Sequence, residues 1–312
     1  MKILRRFLPI AVAALAFSSP SWSQSEKIKV GYTAVPAYLG AFVAKDLGYF
    51  AKRGLDVDLV LVSTGSVVPA ALASGSFQFG PPSATVLLQA NEGGIDLVIT
   101  AGLDQYPSTT RTGLLARPDS GIKRPQDLIG KKVAVPGIGT IVDVLMKKWI
   151  QDGGADYKKV VWIEASYTTM AELLKSGQVD AVASVDPFLS RIVDNKIGEF
   201  VDNYAKSVPD GTVPGFFAST REYATKNPAI LKVFREALDE GNVFVLKPEN
   251  EKFVRESLVR YTKLPPQIAA TVGIPNRLDT KVRPEAIKFW ITVSREQGLI
   301  NGNPDPASLI AP

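Results

Sequence analysis

One pattern, occurring twice, does most to limit what this chain can become. "ALASGSFQFGPPS" (71–83) and "LLKSGQVDAVASVDP" (173–187) each read as the end of a helix, a Ser-Gly stop, a short apolar strand and a loop containing proline. Strands and helices alternate around both copies. Before and through the first, periodicity predicts a strand from Lys27, a helix over Tyr38–Lys52 closed by Gly54, a strand over Val57–Val62, a helix over Val67–Ala73, a strand over Phe77–Phe79, a helix over Ala84–Asn91 and a strand over Leu97–Thr100. Around the second it predicts strands at Lys132–Val135, Val160–Ile163 and Val179–Ala183, with helices at Ile141–Ile150 and Met170–Lys175. Val142, Leu145, Met146 and Trp149 fall on one face of the first of these helices. A βαβαβ series implies parallel strands with helices over the sheet faces. A unit this long, occurring twice, describes two similar lobes and not a short-period solenoid.

Between the copies lie "RTGLLARPDSGI" and "DGTVPGFFASTREY", each with a short apolar strand, Leu114–Ala116 and Phe216–Ala218, flanked by Pro, Gly and Asp. These read as the crossing out of lobe one and the crossing back. The last third is amphipathic and helical: Leu231, Phe234 and Leu238 share a face of a helix over Pro228–Val245, and further helices follow around 253–261, 265–271 and 284–297. The expected organisation is lobe one from 24–112 with 214–312, and lobe two from 113–213.

Hydrophobic residues make up 46% and charged residues 21% of the 312, a globular composition. The chain has no cysteine and no histidine, which removes disulfides, thiol nucleophiles, cysteine-based metal sites and the commonest general base. Carboxylates alone leave a metal formally open, but no calcium-loop spacing is present. Lys2, Arg5 and Arg6 precede an apolar run from Phe7 to Phe17 and the small residues of Ser21-Trp22-Ser23, the layout of a secretory signal peptide over 1–23. Its removal takes Lys+Arg from 36 to 33 against 31 Asp+Glu, a net +2, and no basic run points to nucleic acid. No cysteine follows the apolar run, so a lipoprotein anchor is not expected.

The strand ends carry the candidate site. In open parallel sheets ligands sit beyond the carboxyl ends of the strands, where helix N-termini present N–H groups and partial positive charge. Ser63, Thr64, Gly65, Ser66, Pro82 and Ser83 end two strands of the first lobe, and Gly137, Gly139 and Thr140 end one of the second. Ser66, Ser83 and Thr140 are also good helix caps, and capping alone accounts for each of them singly; Thr169 with Glu172 reads as a capping box. Tyr32 and Tyr38 flank the first strand end, as pocket walls or as packing residues. Asp186 and Glu164 end strands in the second lobe, as acceptors for a ligand amine or as structural groups. Arg111, near Tyr106 at the first crossing, reads as a solvated charge. "VPGIGT" lacks the third glycine and the downstream acid of a dinucleotide fingerprint.

Together "KIKVGYTAVPAYLGAFVAKDLGYFAKRGLDVDLVLVSTGS", "ALASGSFQFGPPSATVLLQA", "DLIGKKVAVPGIGT", "SGQVDAVASVDPF" and "GFFASTREYATKNPAILKVFREAL" resemble the substrate-binding proteins of nitrate/sulfonate/taurine-type ABC importers, over nearly the whole mature chain. The resemblance implies an α/β fold of the type II periplasmic-binding-protein kind, two lobes with parallel-core sheets joined by a two-strand hinge. It implies a monomer without cofactor or catalytic activity that clamps a small molecule between its lobes and hands it to a permease and ATPase complex at the inner membrane. Ligand positions by motif match fall at Tyr32, Tyr38, Ser63–Ser66, Pro82–Ser83, Gly137–Thr140 and Asp186. Two rivals share the fold: a ligand-sensing partner of a receptor, and a hydroxymethylpyrimidine-phosphate synthase, whose histidine and cysteine-rich motif this chain lacks. Hydroxyls and amides in one lobe suit a sulfonate, nitrate or carboxylate, Glu164 and Asp186 in the other suit an ammonium or pyrimidine N–H, and the two together suit a zwitterion.

Overall fold

The computed structural model describes residues 26–62, 65–107 and 111–312; the expected signal peptide and the candidates Ser63 and Thr64 lie outside the described residues. The chain opens with β1 (Glu26–Tyr32) and α1 (Leu39–Asp46), then β2 (Leu55–Leu61), α2 (Val68–Ala73), α3 (Ala84–Glu92) and β3 (Leu97–Gly102). Gly54, at φ +80°, makes the left-handed turn that starts β2. In β2 the buried Leu55 and Val57 alternate with exposed Asp56 and Asp58, the period of a half-buried strand. Next come β4 (Thr112–Ala116), β5 (Lys132–Val135), α4 (Ile141–Asp152), β6 (Val161–Glu164), α5 (Tyr167–Lys175), β7 (Ala181–Val185), α6 (Phe188–Asp194) and β8 (Glu199–Asp202). The chain finishes with β9 (Phe216–Thr220), α7 (Arg221–Lys226), α8 (Pro228–Val245), α9 (Glu251–Thr262), α10 (Pro266–Thr271) and α11 (Glu285–Glu296).

One sheet has the order β6-β5-β7-β4-β8, with β5 parallel to β6 and β7 and with β4 antiparallel to β7 and β8. The other half repeats this order. β1 and β2 pair in parallel, β3 and β9 antiparallel, and residues 79–80 join the two pairs: Phe79 bridges Val30, while Gly80 and Ala218 exchange hydrogen bonds of 2.9 and 2.8 Å. The resulting order, β2-β1-(79–80)-β9-β3, matches the first sheet strand for strand.

The expected parallel-core sheets are present, and each has an antiparallel side, because β4 and β9 each enter from the opposite sheet and so run against their neighbours. Leu114–Ala116 and Phe216–Ala218 are therefore interior sheet strands, and the crossings are the stretches that precede β4 and β9. Those stretches are bonded to each other, Tyr106 N donating to Thr212 O at 2.9 Å and Gly211 N to Tyr106 O at 2.8 Å. The expected strand over Phe77–Phe79 is reduced to isolated bridges.

Three apolar clusters hold the layers. One packs α1, α8 and α9 on the first sheet, with Phe79 stacked on Phe234 at 4.0 Å between centroids. One covers the outer face of the second sheet, where Leu115, Ala134 and Val182 meet Met170, Leu174, Leu189 and Ile192. The third joins the halves: Leu87, Leu88 and Ile99 share it with Val133, Val135, Leu145 and Trp149, and α4 packs against both α3 and α11.

Candidate functional site

The carboxyl ends of six strands converge on a cavity of about 470 Å³ between the sheets. From the first half, Thr33 follows β1, Leu61 and Val62 close β2, Pro81–Ser83 follow the bridging segment, and Leu103 and Asp104 follow β3. From the second, Pro136 follows β5, Ser166 follows β6 and Val185 ends β7. The crossings supply Tyr106, Tyr204, Pro214 and Gly215. Strand ends reach the cavity because every parallel strand in a βα unit points its carboxyl end toward the edge where the following helix begins.

Three of those helices begin on the cavity wall. Ser83, Thr140 and Ser166 hold the N-cap positions of α3, α4 and α5, and none makes the side-chain bond to its helix that a cap normally makes. Ser83 Oγ lies 3.3 Å from Thr85 Oγ1, Thr140 Oγ1 donates to Gly137 O at 2.7 Å, and Ser166 Oγ pairs with Thr168 and Thr169 at 2.9 and 3.1 Å. The helix ends therefore keep their positive dipole ends at the cavity.

Apart from Thr33, Asp104, Thr112 and Thr168, the rest of the wall is apolar and aromatic. Tyr167 stacks on Phe188 at 5.4 Å and 11°. Burial drives the phenols of Tyr38, Tyr106, Tyr167 and Tyr204 well above their ordinary range, so all four stay protonated at neutral pH, and the charge of Asp104 adds to the effect at Tyr38 and Tyr106. Tyr204 OH donates to Ser184 O at 3.0 Å. Beside the cavity the halves are tied together at one atom: Thr85 Oγ1 and Gln89 Nε2 both donate to Gly139 O, at 2.7 and 2.9 Å. Gly139, at φ +78°, is held in turn by its N–H donating to the buried Asp143 at 2.8 Å.

Of the residues singled out from sequence, the structure brings Tyr38, Gly65, Pro82, Ser83 and Thr140 to this wall. Others are placed elsewhere. Tyr32 is a core residue, edge-on to Phe42 at 5.0 Å with its hydroxyl on Tyr261 O at 2.9 Å; the alternation of β1 turns it toward α9. Ser66 lies within the single helical turn Gly65–Val67, off the cavity wall and not at a helix cap. Gly137 and Gly139 shape the turn into α4 behind Thr140 instead of facing the cavity. Asp186 is buried and accepts from Ser190 N and Oγ at 3.1 and 2.6 Å, which ties it to the first turn of α6. Glu164 accepts from Ile138 N at 3.2 Å, and Arg111 is exposed with Nη1 3.3 Å from Ser190 Oγ. The expected Thr169–Glu172 capping box is absent because α5 starts earlier, at Tyr167, and Thr169 donates back to Ser166 O.

Asp104, Tyr167 and Tyr204 were missed. Asp104 follows the wholly buried "LVITAG" strand and Tyr167 sits in the strand-end segment "EASYT", so the strand-end rule reaches both; Tyr204 has no local signal. Among the described residues no cluster of His, Cys, Asp or Glu is arranged to hold a metal, and no helix is long and apolar enough to cross a membrane.

Comparison with known proteins matches residues 35–251 to the NMT1/THI5-like family model. A protein of Brucella abortus (strain 2308), named as a binding protein, is 27% identical over 267 residues, covering 83% of this chain and 80% of that one. The taurine-binding periplasmic protein of Escherichia coli (strain K12) is 25% identical over 256 residues, 78% of this chain and 73% of that one. Among solved structures, the alkanesulfonate-binding protein of Xanthomonas axonopodis pv. citri superposes with a TM-score of 0.76 at 21% identity, covering 92% of this chain and 99% of that one, which shows a common fold.

Proposed function

The chain belongs to the NMT1/THI5-like family, and we propose that it is the solute-binding component of an ABC importer. It captures a small organic molecule and delivers it to a membrane permease and its ATPase. The observation that carries this reading is the cavity: strand ends from two sheets of the same order meet around it, and described residues of the stretches that lead from one sheet to the other, Tyr106, Tyr204, Pro214 and Gly215, border it. Residues 24–112 with 214–312 form one lobe and 113–213 the other; the crossings before β4 and β9 act as the hinge. The likeness to binding proteins from Brucella abortus and Escherichia coli supports the same reading.

In this reading the protein is exported, its signal peptide is removed, and it works as a soluble monomer outside the inner membrane. It performs no chemistry on its ligand; the lack of histidine and cysteine supports that. Tyr38, Gly65, Pro82, Ser83 and Thr140 contact the ligand, together with Ser63 and Thr64. The helix ends receive a ligand acceptor, which favours a small anionic or zwitterionic molecule of the sulfonate, taurine, nitrate or carboxylate class. Native mass spectrometry of the mature protein, followed by denaturation and identification of what is released, tests the proposal. One small molecule per chain, chemically unaltered on prolonged incubation, is the expected result. A molecule converted to product on the protein would overturn it.

A further inference from the structure

The size of the cavity and the rings on its wall narrow the ligand class, on the premise that this cavity is the solute site. Its volume is about 470 Å³, within the roughly 300–1,000 Å³ of pockets that enclose drug-sized molecules. At roughly 30 Å³ of liquid per molecule, that space would hold about fifteen waters. Nitrate or taurine would displace a few of them and leave the rest against apolar side chains, where water gains nothing by staying.

An acid group has its place at the helix N-termini of Ser83, Thr140 and Ser166. The remaining space takes the body of the ligand, and rings line it. Tyr167 and Phe188 stack at 5.4 Å with 11° between their planes, a flat shelf supplied by the second half. Each is the first residue of its helix, Tyr167 of α5 and Phe188 of α6, so both stand just beyond strand ends. Asp186 accepts from Ser190 N and Oγ and so holds the start of α6, which positions Phe188. Two further tyrosines of the wall have committed hydroxyls, Tyr204 to Ser184 O at 3.0 Å and Tyr38 to the Thr33 side chain. What they offer the cavity is ring surface. Asp104 is 7% exposed and already engaged within the protein, so it is no free partner for a ligand.

Rings favour offset-stacked or edge-on ring partners, and that preference adds to the effect of burial. A ring joined to the acid group displaces water from the apolar wall and packs on the shelf while the acid faces the helix ends. We propose that the solute is an aromatic acid, an arylcarboxylate or arylsulfonate, and that Tyr167 and Phe188 set the specificity for its ring.

Calorimetry on the mature protein tests this with probes that share an acid group and differ in body: benzenesulfonate against ethanesulfonate, and benzoate against cyclohexanecarboxylate, with taurine and nitrate beside them. Benzenesulfonate is expected to bind at least about tenfold more tightly than ethanesulfonate, because it buries several more carbons. Benzoate should exceed cyclohexanecarboxylate by about two- to tenfold, the margin of an aromatic pair at similar burial. Tyr167→Leu keeps apolar bulk and should erase this second margin; Phe188→Leu should do the same if the Tyr167 variant fails to fold. Equal or tighter binding of ethanesulfonate, taurine or nitrate by the wild type would overturn the aromatic class while leaving solute capture standing. Equal binding of benzoate and cyclohexanecarboxylate would overturn the role of the shelf. Failure of every probe would overturn the class as well, and the molecule released in the mass-spectrometric experiment then decides separately whether capture itself survives.

Discussion

Ser83 stands where a helix cap belongs, yet its hydroxyl accepts from no backbone N–H of α3 and meets only the Thr85 hydroxyl, at 3.3 Å. Ser83→Ala should therefore cost well under the ~1 kcal/mol of a working cap, whereas Thr220→Ala, which removes an acceptor bonded to Tyr223 N at 3.1 Å, should cost about that much. Chemical denaturation of the two variants checks the contrast; equal losses would restore Ser83 to an ordinary capping role. Sequence alone could place Ser83 and Thr140 at strand ends, because residue type and spacing carry that much. It could not tell a cap from a wall residue, since the choice depends on side-chain rotation set by neighbours such as Thr85. Tyr32 shows the opposite case: its spacing is right, and only the distant Tyr261 reveals that its hydroxyl is committed to the core. Glu92 carries a pH effect of its own. Asn301 N and Gly302 N donate to it at 2.9 and 3.3 Å and hold its carboxyl below the usual range. A group depressed in the folded state contributes fully above its unfolded pKa and loses that contribution as pH falls through the folded value. Amide exchange at Asn301 and Gly302 should speed up below about pH 4, near the ordinary Glu pKa, beyond the intrinsic pH dependence of exchange. In Glu92→Gln the excess should vanish, and an unchanged profile in that variant would show that the carboxylate does not hold this segment.

At the scale of elements, α1 and α8 cross where Gly40 faces Gly241. A Cβ on Gly241 would lie 2.1 Å from Gly40 O, a backbone atom that cannot step aside alone. Gly241→Ala should cost roughly 1–3 kcal/mol or more by overpacking, while Val243→Ala, on the exposed face of the same helix, should stay within about 0.5 kcal/mol. Urea titration of both decides it, and a silent Gly241→Ala would mean that the helices can slide apart at no cost. The span of α8 was legible to the residue, as was that of β5, because long apolar periodicity and short β-branched runs are local signals. β8, α6 and α7 were not. β8 is a four-residue edge strand with two exposed positions, and α6 and α7 are too short to show a helical period. The direction of β4 and β9 was unreadable for another reason: strand orientation is set by the route of the chain between sheets, and five residues hold no record of it.

The doubled pattern was the most legible feature of the whole molecule, and the matching strand orders of the two sheets are its outcome. The sequence gives no hint of how closely the halves meet beside the cavity. There α3 donates twice to Gly139 O, and Gln297 Nε2 of the segment after α11 donates to Val144 O at 2.8 Å. If the halves are lobes that swing on the crossings before β4 and β9, these bonds belong to the closed form, and weakening them shifts the balance toward an open one. Thr85→Val with Gln89→Ala removes both donors and leaves Gly139 O to find water, which opening would supply. The radius of gyration of the double variant from small-angle scattering should then exceed that of the wild type, with the far-ultraviolet spectrum unchanged. A lowered melting temperature with the same radius of gyration would count against the hinge: the contact would then serve the folded core, and the two halves would move as one body.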